Sequence, residues 1–471
     1  MTNVKKIKIL YVSAEISPYA SAGGLGEVGR SFPKALYETG NVEVRRVMPY
    51  YKRISKKLEY ITDYPVAMET GYETCVLKTD LEEKELPTYF IGNDRYFYRD
   101  SIYAYEDDGF RFFFFCNAVI RMLEEIQFIP DIIHANDWHT GMLPLLVKKK
   151  YPEIKTVYTI HNIAYHGYIP PSYLLDIISD EEAKSLGSPD WLNFMKAGIV
   201  YADLLTTVSP GYKKEIVQAK YNFGMSKLLR QRKNPLVGIL NGIDTNDYDP
   251  RQKGTLDYPY DSNCIEEKKK NRSLLREAYG LPDKEIPLIV MVTRLEYAKG
   301  IDLLIKAISY SDLRTFQLII LGSGNLYYQG LLENITKEYS GRIVFEPNYS
   351  LELAKRIYAA ADIYLMPSLY EPCGLGQLYA MRYGAVPIVN PVGGLKDTIT
   401  DDNQHPEKTS GFYMEEWTSE ALIKAVKRAI KTYHSKEWNN IVRNDMKYNA
   451  SWKKSVLKYR KYYEKLLADT N

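Results

Sequence analysis

Short runs of Ile, Val and Leu recur along the chain, each ending at a cluster of Gly, Asn, Asp or Ser before a helical pattern begins. The clearest cover residues 7–12, 131–134, 156–160, 204–208, 288–292, 318–321, 363–366 and 386–389. A strand that is apolar at every position, not at every second one, is buried on both faces, the condition of a parallel sheet covered by helices on either side. The pattern predicts an α/β fold with doubly wound sheets. The series breaks between residues 241 and 285, where Asp, Pro, Gly, Asn and Lys dominate, and resumes at Pro287. Two domains joined near residues 241–250 are therefore expected. The final segment, 451–468, has an amphipathic helical period with its own Trp452 and no strand after it.

Length and composition agree with this picture. At the usual ~150 residues per domain, 471 residues make two to three domains, each large enough to bury a core. Hydrophobic residues at 45% and charged residues at 26% exclude collagen, coiled coil and disorder. Lys and Arg number 62 against 59 Asp and Glu, so the net charge of +3 lacks the basic excess of a nucleic-acid or membrane-surface binder. The expected partner is a small molecule or a neutral polymer, with no nucleic acid and no membrane. Cys75, Cys116, Cys264 and Cys373 lie far apart and form no C-x-x-C pair, which predicts neither a disulfide framework nor a zinc ribbon and suits a reducing cytoplasm. Lys5, Lys6 and Lys8 stand at the start of the first apolar run, but that run ends by Glu15 without a signal-peptide core, and the run 112–120 is far short of the ~20 residues of a membrane span.

The motifs fall where the predicted strands end, the place at which open α/β sheets bind ligands. After the first strand, Gly23 and Gly24 open a helix, and their N–H groups with the helix N-terminus suit a phosphate; a plain tight turn is the competing reading. His134, Asp137 and His139 follow the second run, yet the spacing of a metal site is missing, and a carboxylate and an imidazole beside Trp138 suit sugar hydroxyls better. His161 stands at the next strand end, where a structural histidine is the alternative. In the second half, Arg294 and Lys299 sit five apart after a strand, a fork and a point charge for a pyrophosphate; a solvated pair is the plain alternative. Gly322 and Ser323 form a further turn. Glu371, Cys373, Gly374 and Leu375 follow the strand ending at Met366, and Gly393 and Gly394 repeat the arrangement one strand later. Several such turns on two domains imply a phosphorylated ligand in a cleft between them.

These stretches are GGL at Gly23, HANDWHTG at His134, TIHNIAYHG at Thr159, FMKAGIVYAD at Phe194, TTVSPGY at Thr206, GILNGID at Gly238, RLEYAKG at Arg294, LGSG at Leu321, MPSLYEPCGLGQLYAMRYG at Met366 and GGLKDT at Gly393. Together, and in this order, the sequence resembles the retaining glycosyltransferases of the glycogen and starch synthase type over essentially its whole length. The resemblance implies the GT-B fold: two Rossmann-like domains facing a cleft, 1–245 on the acceptor side and 246–450 for the nucleotide sugar, with a helix at 451–471 crossing back to the first. It implies transfer of glucose from a nucleotide-glucose, ADP-glucose in the bacterial and plant branch, to the nonreducing 4-OH of an α-1,4-glucan or malto-oligosaccharide, with retention of configuration. Arg294 and Lys299 would meet the diphosphate, Glu371 the donor sugar, and His161 and Asp137 the transferred glucose. Substrate contacts would come from Ser21, Gly23, Gly24, Asn162, Lys196 and Asn241 in the first domain. In the second they would come from Gly322, Ser323, Cys373, Gly374, Leu375, Tyr379, Gly393 and Gly394. Neither cofactor nor metal is expected, because two cations and helix N-termini can neutralise developing phosphate charge.

Two positions depart from the family pattern. Ser21 stands where the family has a lysine, and Lys196 is the candidate cation in its place. Tyr379 stands where related GT-B transferases have a second glutamate. The alternatives to an α-1,4-glucan synthase are the same fold with another donor nucleotide or acceptor, supported by Ser21, and a weakly active glucan-binding homologue.

Overall fold

A computed structural model of the chain describes residues 6–468 except 175, 219–222 and 403–404; Lys5 of the basic start lies outside the described residues. The chain forms two compact units, Met1–Gly242 with Trp452–Asn471, and Ile243–Ser451.

Unit 1 is built on β1 (Ile7–Val12), β2 (Val42–Pro49), β3 (Glu59–Met68), β4 (Gly71–Thr79), β5 (Thr88–Gly92), β6 (Ile132–Asn136) and β7 (Lys155–Ile160). A separate hairpin pairs β8 (Tyr168–Ile169) with β9 (Leu192–Asn193), and β10 (Leu204–Thr207) and β11 (Val237–Gly238) return to the main sheet. That sheet has the order β11-β10-β7-β6-β1-β2-β5-β4-β3, parallel except where β4 pairs antiparallel with β3 and β5. The predicted apolar runs are its central strands: β6 is buried at every position, and β7 at every position after Lys155. The strands β2 to β5 carry a weaker signal. In β2, Val42 and Val44 alternate with Glu43 and Arg45, and β3 buries only Tyr64 and Val66, the period of a half-solvated strand.

Unit 2 has a six-stranded, wholly parallel sheet: β12 (Leu288–Val292), β13 (Gln317–Leu321), β14 (Ile343–Glu346), β15 (Ile363–Met366), β16 (Val386–Val389) and β17 (Phe412–Tyr413), in the order β14-β13-β12-β15-β16-β17. Behind it, the buried Lys268 ammonium donates to the carbonyls of Tyr358 (3.2 Å), Ala359 (2.8 Å) and Tyr383 (2.9 Å). These are C-terminal carbonyls of the helices Leu351–Ala360 and Gly376–Arg382, which lack partners within their own helices. One side chain thus ties down the helix that follows the Glu371 loop.

The C-terminal helix Lys453–Ala468 belongs to unit 1. It lies on the first helix, Gly24–Tyr37: Trp452 Nε1 donates to Ser31 Oγ (2.8 Å), and the Phe32 ring meets Trp452 and Tyr459 at 5.2 and 4.8 Å. Trp452, Val456, Tyr459 and Tyr463 are each at most 3% exposed, and burying such side chains stabilises by about 1.5–3 kcal/mol apiece. Among the described residues, no helix is long and apolar enough to cross a membrane.

Candidate active site

In both sheets the chain winds outward from the first strand in one direction and then in the other. Taking only the parallel strands, unit 1 reads 3-2-1-4-5-6-7 and unit 2 reads 3-2-1-4-5-6, so the order reverses between β1 and β6 and between β12 and β15. Loops leaving adjacent strands there diverge and open a crevice.

At the reversal in unit 1, Glu15 follows β1. Its Oε2 accepts the N–H groups of Ala22 (2.6 Å) and Gly23 (3.1 Å), and its Oε1 accepts the Tyr103 hydroxyl (2.6 Å). The expectation that this glycine turn holds its N–H groups open for a phosphate is corrected at Ala22 and Gly23: a buried carboxylate already supplies the anion. Gly24 starts the helix beyond them. Ser21 Oγ donates to Gly23 O (3.0 Å), and the guanidinium of Arg53 donates to the Ser21 carbonyl (3.4 Å).

Asp137, just past β6, has φ +59°, a backbone conformation that costs a non-glycine residue about 1–3 kcal/mol. Its N–H donates to Thr159 O (2.9 Å) on β7, and its Oδ1 accepts the Asn162 N–H (3.4 Å). Burial lifts the Asp137 carboxyl to about 7, with the charge of Glu15 adding to the rise and nearby N–H groups opposing it. His161 follows β7, and its Nε2 lies 2.9 Å from Asn136 Oδ1. The Asn136 amide nitrogen donates to the carbonyls of Val12 (3.0 Å) and His134 (3.1 Å), so the amide oxygen must face the imidazole. Nε2 of His161 therefore carries the proton and Nδ1 is left as an acceptor. Burial pulls the His161 pKa down to about 3, so the ring is neutral at pH 7.

The two histidines of the HANDWHTG stretch do different work. His134 spends both ring nitrogens in the core, on Tyr463 Oη (2.7 Å) and Thr159 Oγ1 (2.6 Å). His139 stacks on Tyr103 at 4.5 Å. Among the described residues, no cluster of three or more His, Cys, Asp or Glu side chains is arranged to hold a metal. Asn241, almost fully buried, donates its N–H to Val208 O (3.2 Å) beside the end of unit 1. Lys196 lies in the first turn of the helix Phe194–Tyr201, where its N–H is capped by Asn193 Oδ1 (2.9 Å), and it lines a cavity with Trp138 and Trp191.

At the reversal in unit 2, the loop after β12 carries both predicted cations. Arg294, half exposed, pairs with Glu296 (2.8 Å). Lys299 Nζ meets Glu371 Oε2 at 2.7 Å, and Ser368 Oγ donates to the same oxygen (3.0 Å). Glu371 is 7% exposed, so its charge depends on these partners. The β13 turn braces the cation loop: Ser323 O accepts the Leu295 N–H (2.9 Å), and Gly322 N–H is tied back to Glu346 O (3.0 Å). The turns after β15 and β16 pack backbone on backbone. Gly394 N–H donates to Glu371 O (3.1 Å), and a Cβ at Gly394 would lie 2.2 Å from the Cys373 carbonyl oxygen, so any side chain there drives the two loops apart. Gly374, with φ +71°, and Leu375, which caps the helix Gly376–Arg382, complete the first turn, and Gly393 opens the short helix Gly393–Thr398.

Tyr379 is corrected to a packing residue. One turn into its helix, it is 8% exposed and stacked on Tyr248 at 3.7 Å within the core of unit 2. Sequence reasoning missed Glu15, Tyr103, Asn136, Ser368 and Arg53; of these, Asn136 and Ser368 stood inside recognised stretches.

Two sheets of this order, with neutral and acidic groups at one reversal and a braced pair of cations at the other, define a two-domain glycosyltransferase of the GT-B class. Residues 8–231 match the family model described as the starch synthase catalytic domain, and residues 271–451 match that of glycosyl transferases group 1. The glycogen synthase of Moorella thermoacetica is 41% identical over 98% of this chain and 97% of its own. That of Clostridioides difficile is 40% identical over 97% and 99%. The catalytic domain of starch synthase IV from Arabidopsis thaliana, solved bound to ADP and acarbose, superposes with a TM-score of 0.92 at 28% identity, covering 98% of this chain and 100% of that one. The chain belongs to the glycogen and starch synthase family.

Proposed function

We propose that this glycosyltransferase uses ADP-glucose and transfers its glucose, with retention, to the nonreducing 4-OH of an α-1,4-glucan. The observation that carries the reading is the Lys299–Glu371 pair (2.7 Å) at the strand-order reversal of unit 2, with Arg294 on the same loop. Unit 2 holds the nucleotide: Arg294 and Lys299 offset the charge that grows on the leaving diphosphate as the glycosidic bond breaks. The diphosphate draws on the ammonium that Glu371 holds beforehand, and the carboxylate turns to the hydroxyls of the donor sugar. Gly322, Ser323, Cys373, Gly374, Leu375, Gly393 and Gly394 shape the walls around it. Unit 1 holds the sugar: neutral His161 accepts a hydroxyl at Nδ1, and Asp137, whose carboxyl burial lifts to about 7, can donate or accept. Asn162 and Asn241 stand beside them. The ADP and acarbose of the starch synthase IV structure support both the donor and the glucan acceptor. Free thiols at all four cysteines agree with a cytoplasmic setting.

The test is incorporation of label from radiolabelled ADP-glucose or UDP-glucose into precipitated glycogen, followed by α-amylase digestion. Faster incorporation from ADP-glucose, with label released as α-linked oligosaccharide, is expected. Label resistant to α-amylase overturns retention, preference for UDP-glucose overturns the donor, and no incorporation from either overturns the reading.

A further inference from the structure

The loops that carry Lys299 and Glu371 leave their strands with little support from the sheet. β15 ends at Met366, paired with Val389 of β16, and Pro367 follows. Proline has no N–H and cannot extend a ladder, so the chain from Pro367 to Glu371 must be held by something other than the sheet. On the other side, Lys299 ends one short 3-10 turn, Tyr297–Lys299, which is too brief to fix itself. A 2.7 Å ion pair between two such loops requires that both be tied down.

The ties come from elsewhere in unit 2. Leu369 N–H donates to Ala298 O (2.8 Å), joining the loops one residue from Lys299. Asn390, just past β16, donates its Nδ2 to Ser368 O (2.8 Å), and Trp417 donates its Nε1 to Pro367 O (2.9 Å). Trp417 stands between β17 and the helix Ser419–Tyr433, beside the cap Thr418, whose Oγ1 accepts the Ala421 N–H (3.1 Å). Its backbone is therefore anchored at the start of a 15-residue helix. Its indole also meets the Tyr297 ring edge to face, with centroids 5.4 Å apart and planes at 74°. One side chain thus touches both loops, by a hydrogen bond on the way to Glu371 and by a ring contact on the turn that ends at Lys299. The fit is close from the opposite side as well: Gly300 has φ +78°, and a Cβ there would fall 2.4 Å from the same Pro367 oxygen. Trp417 lies outside every stretch that carries the family resemblance.

We propose that Trp417 is a positioning residue for glucose transfer: it clamps the two loops and sets the Lys299–Glu371 pair at the separation from which both side chains meet the nucleotide sugar. The proposal rests on the reading that this pair faces the donor. Trp417 acts through Pro367 and Tyr297, not on the substrate.

The experiment pairs steady-state glucose transfer with calorimetric titration of ADP into the full chain, for the parent, Trp417→Phe and Trp417→Ala. ADP carries the full charge of the leaving group, so a misplaced ammonium weakens ADP binding and lowers kcat together, while the donor KM moves less than twofold. Trp417→Ala is expected to cost about tenfold in both quantities. Trp417→Phe keeps the ring against Tyr297 and loses only the N–H, so about threefold is expected. In a Lys299→Ala background, with no ammonium left to place, Trp417→Ala should change ADP affinity less than twofold. A tryptophan that merely packs would lower the urea midpoint and leave the ADP Kd and kcat of the folded protein alone. Unchanged values in both variants, or full additivity with Lys299→Ala, therefore overturn the proposal. Parent protein that binds ADP but transfers no glucose overturns the proposed function, and the ADP constants then decide the clamp; glucose transfer indifferent to Trp417 does the reverse. A parent that neither binds ADP nor transfers glucose overturns both.

Discussion

The strand-order reversals of the two units have the same topology and opposite chemistry. In unit 1 the crevice is lined by the buried Glu15, Asp137 and Asn136 and a partly buried, neutral His161, and proximity of like charges helps push Asp137 toward neutrality. In unit 2 the buried carboxylate at the reversal, Glu371, is held by Lys299, with Arg294 on the same loop. Topology sets where a ligand can sit; a handful of loop residues decides whether that place suits a hydroxyl or a phosphate.

The largest effect is expected where the contrast is carried by a single ion pair. Glu371→Gln and Lys299→Ala should each lower kcat about 10²–10³-fold, the size of losing one charged stabiliser of a developing anion. Because the two side chains share a 2.7 Å contact, the double variant should cost far less than the product of the two. Rapid-quench and steady-state kinetics on all three variants check this, and a rise in KM alone would reassign either residue to ground-state binding. Arg294 pairs with Glu296 on its own loop, so Arg294→Ala should cost about 10²-fold without coupling to Glu371.

Next is the pH dependence that burial imposes on unit 1. The Asp137 carboxyl is raised from its ordinary 3.8 to about 7. Below 3.8 it is protonated in both folded and unfolded chains; as pH rises, the unfolded chain ionises first, so native stability is lost between about 3.8 and about 7. Asp137→Asn lacks this titration. Its stability relative to the parent should therefore rise by on the order of 3 kcal/mol from pH 4 to pH 7.5, followed by urea unfolding. A difference independent of pH would show that the carboxyl titrates normally and that the contrast with unit 2 is not electrostatic.

The sequence reveals this contrast only in part. Apolar runs such as 156–160 and 288–292 mark the central strands because burial on both faces leaves no other residues tolerable. Strands β2 to β4 escape because solvent on one side admits Glu43, Arg45 and the exposed half of β3, and β5, though buried at every position, is a five-residue TYFIG run without the Ile, Val and Leu repeats of the others. Arg294, Lys299, Glu371 and His161 are legible from residue type at strand ends. Their partners are not: Lys299 and Glu371 lie 72 positions apart, and Asn136 meets His161 only because β6 and β7 pair in the register that sets Asn136 beside Thr159. Tyr379 misleads for the same reason, since its stacking on Tyr248 is invisible to any local period.

Unit 2 offers an internal control for the buried carboxyl of unit 1. Asp445, in the helix Trp438–Lys447, is 1% exposed, and neither carboxyl oxygen has a hydrogen-bond partner among the described residues. Burial raises its pKa well above the ordinary 3.8, as it does for Asp137, but no strand-end turn uses the group. Asp445→Ala should therefore stabilise the protein at pH 7 by about 1–2 kcal/mol, the cost of an unsatisfied buried polar group. Its gain should fade at low pH, where the parent carboxyl is protonated in both states. Destabilisation on chemical unfolding would mean that the group has a partner and a role.

The smallest expected effect concerns the one place where a cation reaches the acidic crevice. The family resemblance implies a lysine at position 21, where this chain has Ser21, with Lys196 as the expected substitute; Lys196 lines the cavity of unit 1, while Arg53 is the side chain that touches the Ser21 carbonyl, at 3.4 Å. Arg53 is exposed, so its charge is screened and contributes less than the ~1.5–3 kcal/mol of a sheltered charged hydrogen bond. Arg53→Ala should lower kcat/KM for ADP-glucose about 3- to 10-fold, and Ser21→Lys should raise it by a similar factor. If one cation can serve for the other, Arg53→Ala in the Ser21→Lys background should cost almost nothing, and the double-mutant cycle returns a coupling close to the whole effect of Arg53. Lys196→Ala in the same background should be additive, because the cavity it lines does not include the Ser21 turn. Coupling to Lys196 with none to Arg53 would return the lost charge to Lys196. Additivity throughout, with Ser21→Lys slower than the parent, would mean that Glu15 and its bonds to Ala22 and Gly23 have rebuilt this turn around the missing lysine.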